Sequence, residues 1–263
     1  MDERDFPSKK RTLVLRDDQA DFYAILDEAR GRRRRGGRLH LIDAGRLTVL
    51  ELERICLSGA DLFTSDKAGR APADLAVLSA AAGKSGGGIA HFQHGPLLAE
   101  GEGVVLSLRA LRDAAGGGVS LYLSNKTEKR RTEDLAVLAE DARRGNRRLG
   151  YYHHGAPAEA LEELARRGAW IHVSAAGAGA DLPALLLLRD IAAKAAAAGA
   201  GLVIHLERLI PEPDLEDLHK AGAFLLFHVP PSDYRSPYRA LRAKASRRVL
   251  DPRAYYLYSE FMR

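Results

Sequence analysis

The 263-residue chain has one cysteine, Cys56, so no disulfide can form within it. A fold without crosslinks must be held by its core, and lone cysteines fit a reducing compartment. The sequence therefore reads as a cytoplasmic protein. Aromatics are also scarce, at 6% with a single Trp, whereas Gly reaches 25 residues. Such a core must be aliphatic and closely packed. No apolar run approaches the roughly 18 residues of a spanning helix. The longest candidate, LPALLLL at 182–188, sits between Asp181 and Arg189, so no membrane association is expected. The opening Met1-Asp-Glu-Arg has no apolar stretch behind it and does not read as a signal peptide. No HxH, HExxH or CxxC occurs, and the first strong strand reads His40-Leu-Ile-Asp43. Gly83-Lys84-Ser85 lacks the spacing of a phosphate-binding P-loop and follows a helix pattern, so it reads as a turn.

What is present is regular alternation. Short apolar runs at 38–43, 60–65, 88–94, 119–124, 148–154, 169–174, 201–207 and 223–229 read as strands. Between them lie helical patterns at 47–59, 72–83, 106–116, 132–145, 157–168 and 182–199, many closing on Gly. Strand–helix alternation implies a parallel sheet covered by helices. Eight such units predict an α/β fold, a compact (β/α)8 TIM-like barrel. The alternative is an open doubly wound parallel sheet. The barrel leads because these strands carry His, Ser, Thr, Tyr and Gln near their C-terminal ends, where central strands of an open sheet are continuously aliphatic. One domain over 1–263 is expected: an N-terminal extension and basic linker at 1–37, the eight units at 38–229, and a C-terminal loop, helix and cap at 230–263. Within the extension, 11–31 reads as a further strand and helix, and 251–261 reads as a last strand or an aromatic cap.

An internal repeat runs through the middle. His94-Gly95 and His154-Gly155 are 60 residues apart, as are Asp74-Leu-Ala-Val-Leu78 and Asp134-Leu-Ala-Val-Leu138. Ser65-Asp66-Lys67 matches Ser124-Asn125-Lys126 at 59. Each copy would end a strand on a polar side chain, with Gly turning the chain into the next loop.

Barrel sites lie at the C-terminal ends of strands. Eight of the nine histidines fall in predicted strands, and His219 falls in a helix. Imidazoles there can ligate metals or move protons; equally, they can fill inner layers by bonding to one another. His94 and His154 are the candidate catalytic histidines, with Asp43 and Glu207 as bases or ligands. A divalent metal would take His94, His154 and Asp66, since imidazole with carboxylate suits a metal-activated water. Lys67 and Lys126, with Ser65, Ser124, Asn125 and Arg208, would hold an anion. The expected function is an enzyme acting on a small phosphate- or carboxylate-bearing substrate, a metal-dependent hydrolase or phosphoesterase. The rival readings are a non-catalytic ligand- or protein-binding barrel, and nucleic-acid binding through Arg32, Arg33, Arg34 and Arg35. The net charge of +5, with 35 acids against 40 bases, does not favour the last. Oligomeric state is not legible. Cys56 lies on a helix among Leu50, Leu52, Ile55 and Leu57 and reads as a core residue.

Overall fold

The computed structural model describes residues 12–97, 107–176, 182–228 and 236–245. Strands and helices alternate without a break: β1 (Thr12–Arg16), α1 (Phe22–Arg34), β2 (Arg38–Ile42), α2 (Val49–Leu57), β3 (Ala60–Ser65), a 3-10 turn (Asp66–Ala68) and α3 (Pro72–Lys84) come first. Then follow β4 (Ile89–Gln93), α4 (Leu108–Gly116), β5 (Val119–Ser124), α5 (Thr132–Arg144), β6 (Leu149–His153) and α6 (Ala160–Arg166). The last are β7 (Trp170–Ser174), α7 (Leu182–Ala197), β8 (Leu202–Leu206), α8 (Glu212–Lys220), β9 (Phe224–Phe227) and α9 (Ser236–Ala245). The strands form one nine-stranded sheet in chain order, β1 to β9. The pairs β1–β2, β2–β3, β3–β4, β6–β7, β7–β8 and β8–β9 are all parallel. A doubly wound sheet reverses its strand order at a switch point. No reversal occurs, so that alternative is set aside, and the order is the one a β/α barrel uses. The eight expected strands are β2 to β9, and the extra N-terminal segment is β1 and α1.

Local chemistry explains the boundaries. Helix α2 opens on a capping box: the Thr48 hydroxyl accepts from Glu51 N–H, and the Glu51 carboxylate accepts from Thr48 N–H at 2.8 Å. Those bonds, the backbone one first, hold the Glu51 carboxyl below the usual range. At α1 and α4 the cap is one-way: the Asp21 carboxylate accepts from Ala24 N–H and the Ser107 hydroxyl from Ala110 N–H. Gly118 and Gly168 carry the chain from helix to strand with φ of 94° and 89°, a region that favours glycine. The run 31–38 corrects one expectation. It is not a linker: residues 31–34 complete α1 and Arg38 opens β2. Arginine is a strong helix former, and three of them in the last turn complement the helix dipole. The segment 251–261 lies outside the described residues.

By internal contact the chain falls into two compact units, Asp2–Tyr122 with Asp141–Arg148, and Leu123–Glu140 with Leu149–Arg263. The boundary passes through β5 and α5 rather than through a linker. In the first unit, strand alternation makes two rows. Leu39, Leu41, Ala60, Leu62 and Ile89 form a buried aliphatic row. The opposite row carries His40, Asp61, Phe63 and Phe92; Phe92 stacks on Tyr122, with ring centroids 5.3 Å apart. In the second unit the aliphatic row is Leu149, Ile171, Val173, Leu202, Ile204 and Leu206, all buried. Each such side chain contributes about 1.5–3 kcal/mol by leaving water. The opposite row holds Tyr152, Trp170, His172, Ser174, His205, Phe224 and His228. Gly201 sits under it because a Cβ there would come within 2.8 Å of both the Trp170 and Phe224 rings.

Candidate functional site

The strand ends are joined by side chains that grip the backbone of the following unit. Asp17, fully buried just past β1, accepts N–H bonds from Ala44 (2.8 Å), Arg46 and Leu47 (both 3.1 Å) beyond β2. Asp66, just past β3, accepts from His94 N–H at 3.1 Å and Gly95 N–H at 2.7 Å beyond β4. Asn125, just past β5, accepts from His154 N–H at 2.6 Å and donates to the His154 carbonyl at 3.1 Å. Each of these three residues reaches 27 to 30 positions ahead. The backbones of both His–Gly pairs are therefore held by the Asp or Asn of the preceding Ser-Asp/Asn-Lys. A Cβ at Gly95 would press on the Asp66 carboxylate at 3.2 Å, so any larger residue there would push the carboxylate back by a few tenths of an ångström. The other carboxylate oxygen of Asp66, Oδ1, is buried without a hydrogen-bond partner.

Asp43 departs from its expected role. Its carboxylate is enclosed and fully used: Arg70 binds both oxygens at 2.6 and 2.8 Å, Thr64 Oγ1 donates at 2.8 Å, and Gly45 N–H donates at 3.0 Å. Arg70 also donates to the Leu47 carbonyl, and its hydrogen bond to Asp43 raises its own pKa further. With every lone pair taken, Asp43 holds the β2 and β3 loops together and has none free for a substrate or metal. This is a correction to its reading as a catalytic base. Sequence gave no signal for Arg70 as its partner, 27 residues away.

The ends of β7, β8 and β9 carry the densest polar arrangement in the second unit. Ser174 Oγ donates to Glu207 Oε2 at 2.9 Å and accepts from Ala176 N–H at 3.1 Å. Beneath them run three imidazoles. His172 Nδ1 lies 3.1 Å from His205 Nε2, and His205 Nδ1 lies 3.0 Å from His228 Nε2. The His205 and His228 rings stack, with 12° between planes, and Tyr152 stacks on His172 at 4.1 Å. The spacing arises because residues His172, His205 and His228 occupy one row on adjacent parallel strands, offset two residues from the backbone register. Burial pushes the His172 pKa down to about 3. Burial, then the neighbouring imidazoles, pushes His205 well below the ordinary range. Both rings are neutral at neutral pH. His172 and His205 are among the eight strand histidines, and the sequence pattern alone does not single them out. A fainter signal is there: each stands between aliphatic neighbours at an inner position of its strand, where a lone imidazole needs a partner.

The remaining expected residues are dispersed. Lys67 and Lys126 are exposed, and Ser65 is half-buried. Ser124 is buried, accepting from Lys126 N–H at 2.9 Å, while its carbonyl accepts from Arg130. Arg208 is exposed and donates to the Ala175 carbonyl at 3.3 Å. His94 belongs to the first unit and His154 to the second, both half-buried. His91 is buried in the first unit beside Gln93, 3.2 Å away, and burial lowers its pKa. Cys56 is fully buried, as expected, and desolvation raises its thiol to about 12.

No protein-family model matches the chain, and no curated protein matches it. Solved structures resemble it weakly. The 3-dehydroquinate dehydratase of Aquifex aeolicus VF5 is 11% identical, with a TM-score of 0.35 over 90% of this chain and 99% of that one. The YdjI aldolase of Escherichia coli K12 is 11% identical, with a TM-score of 0.33 over 90% and 94%. The N-isopropylammelide isopropylaminohydrolase of Burkholderia multivorans ATCC 17616 is 19% identical, with a TM-score of 0.41 over 89% and 63%. These likenesses are too slight to assign a chemistry, which must come from the chain's own residues.

Among the described residues, no three His, Cys, Asp or Glu side chains converge as a metal site requires. Asp66 is committed to backbone N–H groups through one oxygen. No described helix is long and apolar enough to cross a membrane.

The arginine run is partly tied down. Arg32 pairs with Glu28 at 2.6 Å, and Arg35 lies 3.6 Å from the same carboxylate. Arg33 donates to the Leu57 carbonyl at 3.0 Å, capping the end of α2. Arg30, Arg33 and Arg34 line a cavity of about 460 Å³ with Leu57 and Ser58.

Proposed function

We propose that the chain is an acid–base enzyme, a hydrolase of small phosphate- or carboxylate-bearing esters, working at the C-terminal ends of β7 to β9. The observation that carries this reading is the Ser174–Glu207 contact lying over three imidazoles within hydrogen-bonding distance of one another. A carboxylate within 2.9 Å of a hydroxyl can take its proton as the oxygen attacks, or can take one from water in its place. Glu207 acts as general base. Arg208, next in sequence, and Lys126, at the end of β5, supply positive charge for the anionic group of the substrate. His154, its backbone fixed by Asn125, is the candidate acid at the end of β6. The metal-dependent form of the reading would use His94, His154 and Asp66; among the described residues no three such side chains converge.

The test is turnover of nitrophenyl phosphate and nitrophenyl carboxylate esters. Wild type hydrolyses one series, and Glu207→Gln lowers kcat by about 100-fold or more with an unchanged circular dichroism spectrum. No turnover of either series by wild type, or an undiminished rate in Glu207→Gln, overturns the proposal.

The cavity beside α1 and α2 favours a second reading, contact with a polyanion. Three arginines around an open cavity suit phosphates, and Tyr23 on α1, 74% exposed, offers a face for a base. A single-stranded oligonucleotide would bind with affinity falling steeply as salt rises. Replacing Arg30, Arg33 and Arg34 by Gln should flatten that dependence. Binding that ignores salt, or survives the triple change, removes this reading.

A further inference from the structure

We propose that the exposed face of α2 is a two-fold interface, on which a second copy of this chain lies with its own α2 antiparallel to the first. The proposal stands apart from the ester-hydrolase and polyanion readings above.

Among the described residues five large apolar side chains are exposed, and four of them lie on three consecutive helices: Tyr23 on α1, Leu50 and Leu57 on α2, and Val77 on α3. Leu50 is 58% exposed and Leu57 40%. A single exposed leucine is ordinary, but two on one helix face, beside further apolar neighbours, mark a contact surface. Along α2, Leu50, Glu53, Arg54 and Leu57 follow one another at the spacing i, i+3, i+4, i+7. That spacing puts all four on one stripe. Leu52, Ile55 and Cys56 occupy the buried face.

The order of the stripe names its occupant. Read from its other end it runs Leu57, Arg54, Glu53, Leu50, the same pattern with the two charges exchanged. Two such helices set antiparallel, about an axis between residues 53 and 54, bring Leu50 onto Leu57 of the second copy and Glu53 onto Arg54 of the second copy. The two-fold makes each contact occur twice. A parallel arrangement would instead set Glu53 on Glu53 and Arg54 on Arg54, with like charges together. A foreign helix would need this order of shape and charge by coincidence, whereas a second copy carries it by construction.

Both charges are available for the contact. Arg54 is exposed and Glu53 half-buried, and among the described residues neither closes an ion pair with its own chain. The neighbouring carboxylate, Glu51, is taken by the Thr48 N–H and hydroxyl.

Size bears on the proposal too. A stable dimer hides roughly 800 Å² on each copy. A nine-residue helix is only about 14 Å long and does not supply this alone. Helix α3 packs beside α2, and the same axis sets it against its own copy. It turns Ala73, Ala76, Val77 and Ala80 to solvent, with no exposed charge before Lys84. Side chains this small let two helices approach closely. On the other side of α2, α1 adds Tyr23.

The experiment is sedimentation equilibrium of the full chain at physiological salt across the micromolar range. The expected mass is twice the 28.6 kDa of one chain. Leu50→Glu, at an exposed position outside the core, gives the single mass. Glu53→Arg alone and Arg54→Glu alone each put like charges into both central contacts, and each weakens the dimer by about 10-fold or more. The double change Glu53→Arg with Arg54→Glu reverses both signs together and restores it. Circular dichroism of every variant matches wild type, since all three positions lie outside the buried face. A monomer throughout the range overturns the proposal. So does a dimer indifferent to Leu50→Glu, which would lie on another face, or a double change no better than the single ones, which would mean that the helices do not pair antiparallel.

Discussion

Lowering the pH from 6.5 to 5 costs the second unit about 2 kcal/mol through His172 alone. His172 has a folded pKa of about 3, set by burial, against an unfolded value of about 6.5. Above pH 6.5 the ring is neutral in both states, so stability does not change. Below it the unfolded chain takes up a proton that the folded chain refuses, and each pH unit costs about 1.4 kcal/mol until the folded pKa is reached. His205 is shifted in the same direction, by burial first, and adds to the loss. The window from 6.5 to 5 is chosen because the lowered carboxyls Asp18, Glu51 and Glu163 start from ordinary values of 3.8 to 4.5 and act only below it. Trp170, the single tryptophan, sits in this unit and reports its urea unfolding by fluorescence. A midpoint that stays level between pH 6.5 and 5 would show that these rings are charged or solvated in the folded protein.

Asp43→Ala should destabilise the first unit by about 3–5 kcal/mol. The loss of the carboxylate leaves the Arg70 guanidinium enclosed, with its side chain only 9% exposed, and takes the partner from Thr64 Oγ1 as well. Breaking one side of a buried pair is costlier than removing both. The paired change Asp43→Leu with Arg70→Met should therefore recover a large part of the loss. Amide hydrogen exchange in β2 and β3 locates the effect; Trp170 lies elsewhere and should not move. A loss below about 1 kcal/mol for Asp43→Ala would mean that water reaches this pair and solvates it as on a surface.

The alternation of strands and helices was legible because its signals are local. A run such as Leu39-His-Leu-Ile42, a Thr48 cap three residues before Glu51, or a glycine at a helix end acts within a few residues of itself. The parallel sheet followed from that alternation, and so did the placing of polar residues at strand ends. What stayed hidden were pairings across some 27 to 33 residues. Asp43 and Glu207 look alike in sequence, each an acid following a strand. One is saturated by Arg70, the other faces Ser174, and only the fold distinguishes them. The repeated His–Gly drew attention to two imidazoles, yet the structure explains its backbone, through Asp66 and Asn125. The three-histidine chain escaped notice for the opposite reason: His172, His205 and His228 recur at unequal intervals of 33 and 23 residues, because the helices between their strands differ in length. The arginine run misled through its density. Four consecutive arginines suggest a solvated linker, but helix propensity and an acid one turn back, Glu28, drew three of them into α1 and left Arg35 as its C-cap.

Cys56 has a consequence for experiment. Its thiol is sealed in the core, with a pKa pushed to about 12, and there is no second cysteine in the chain. A cysteine introduced on the surface would thus be the one accessible thiol for maleimide probes. Pairs of dyes or spin labels could then measure distances between chosen helices in the otherwise unaltered molecule.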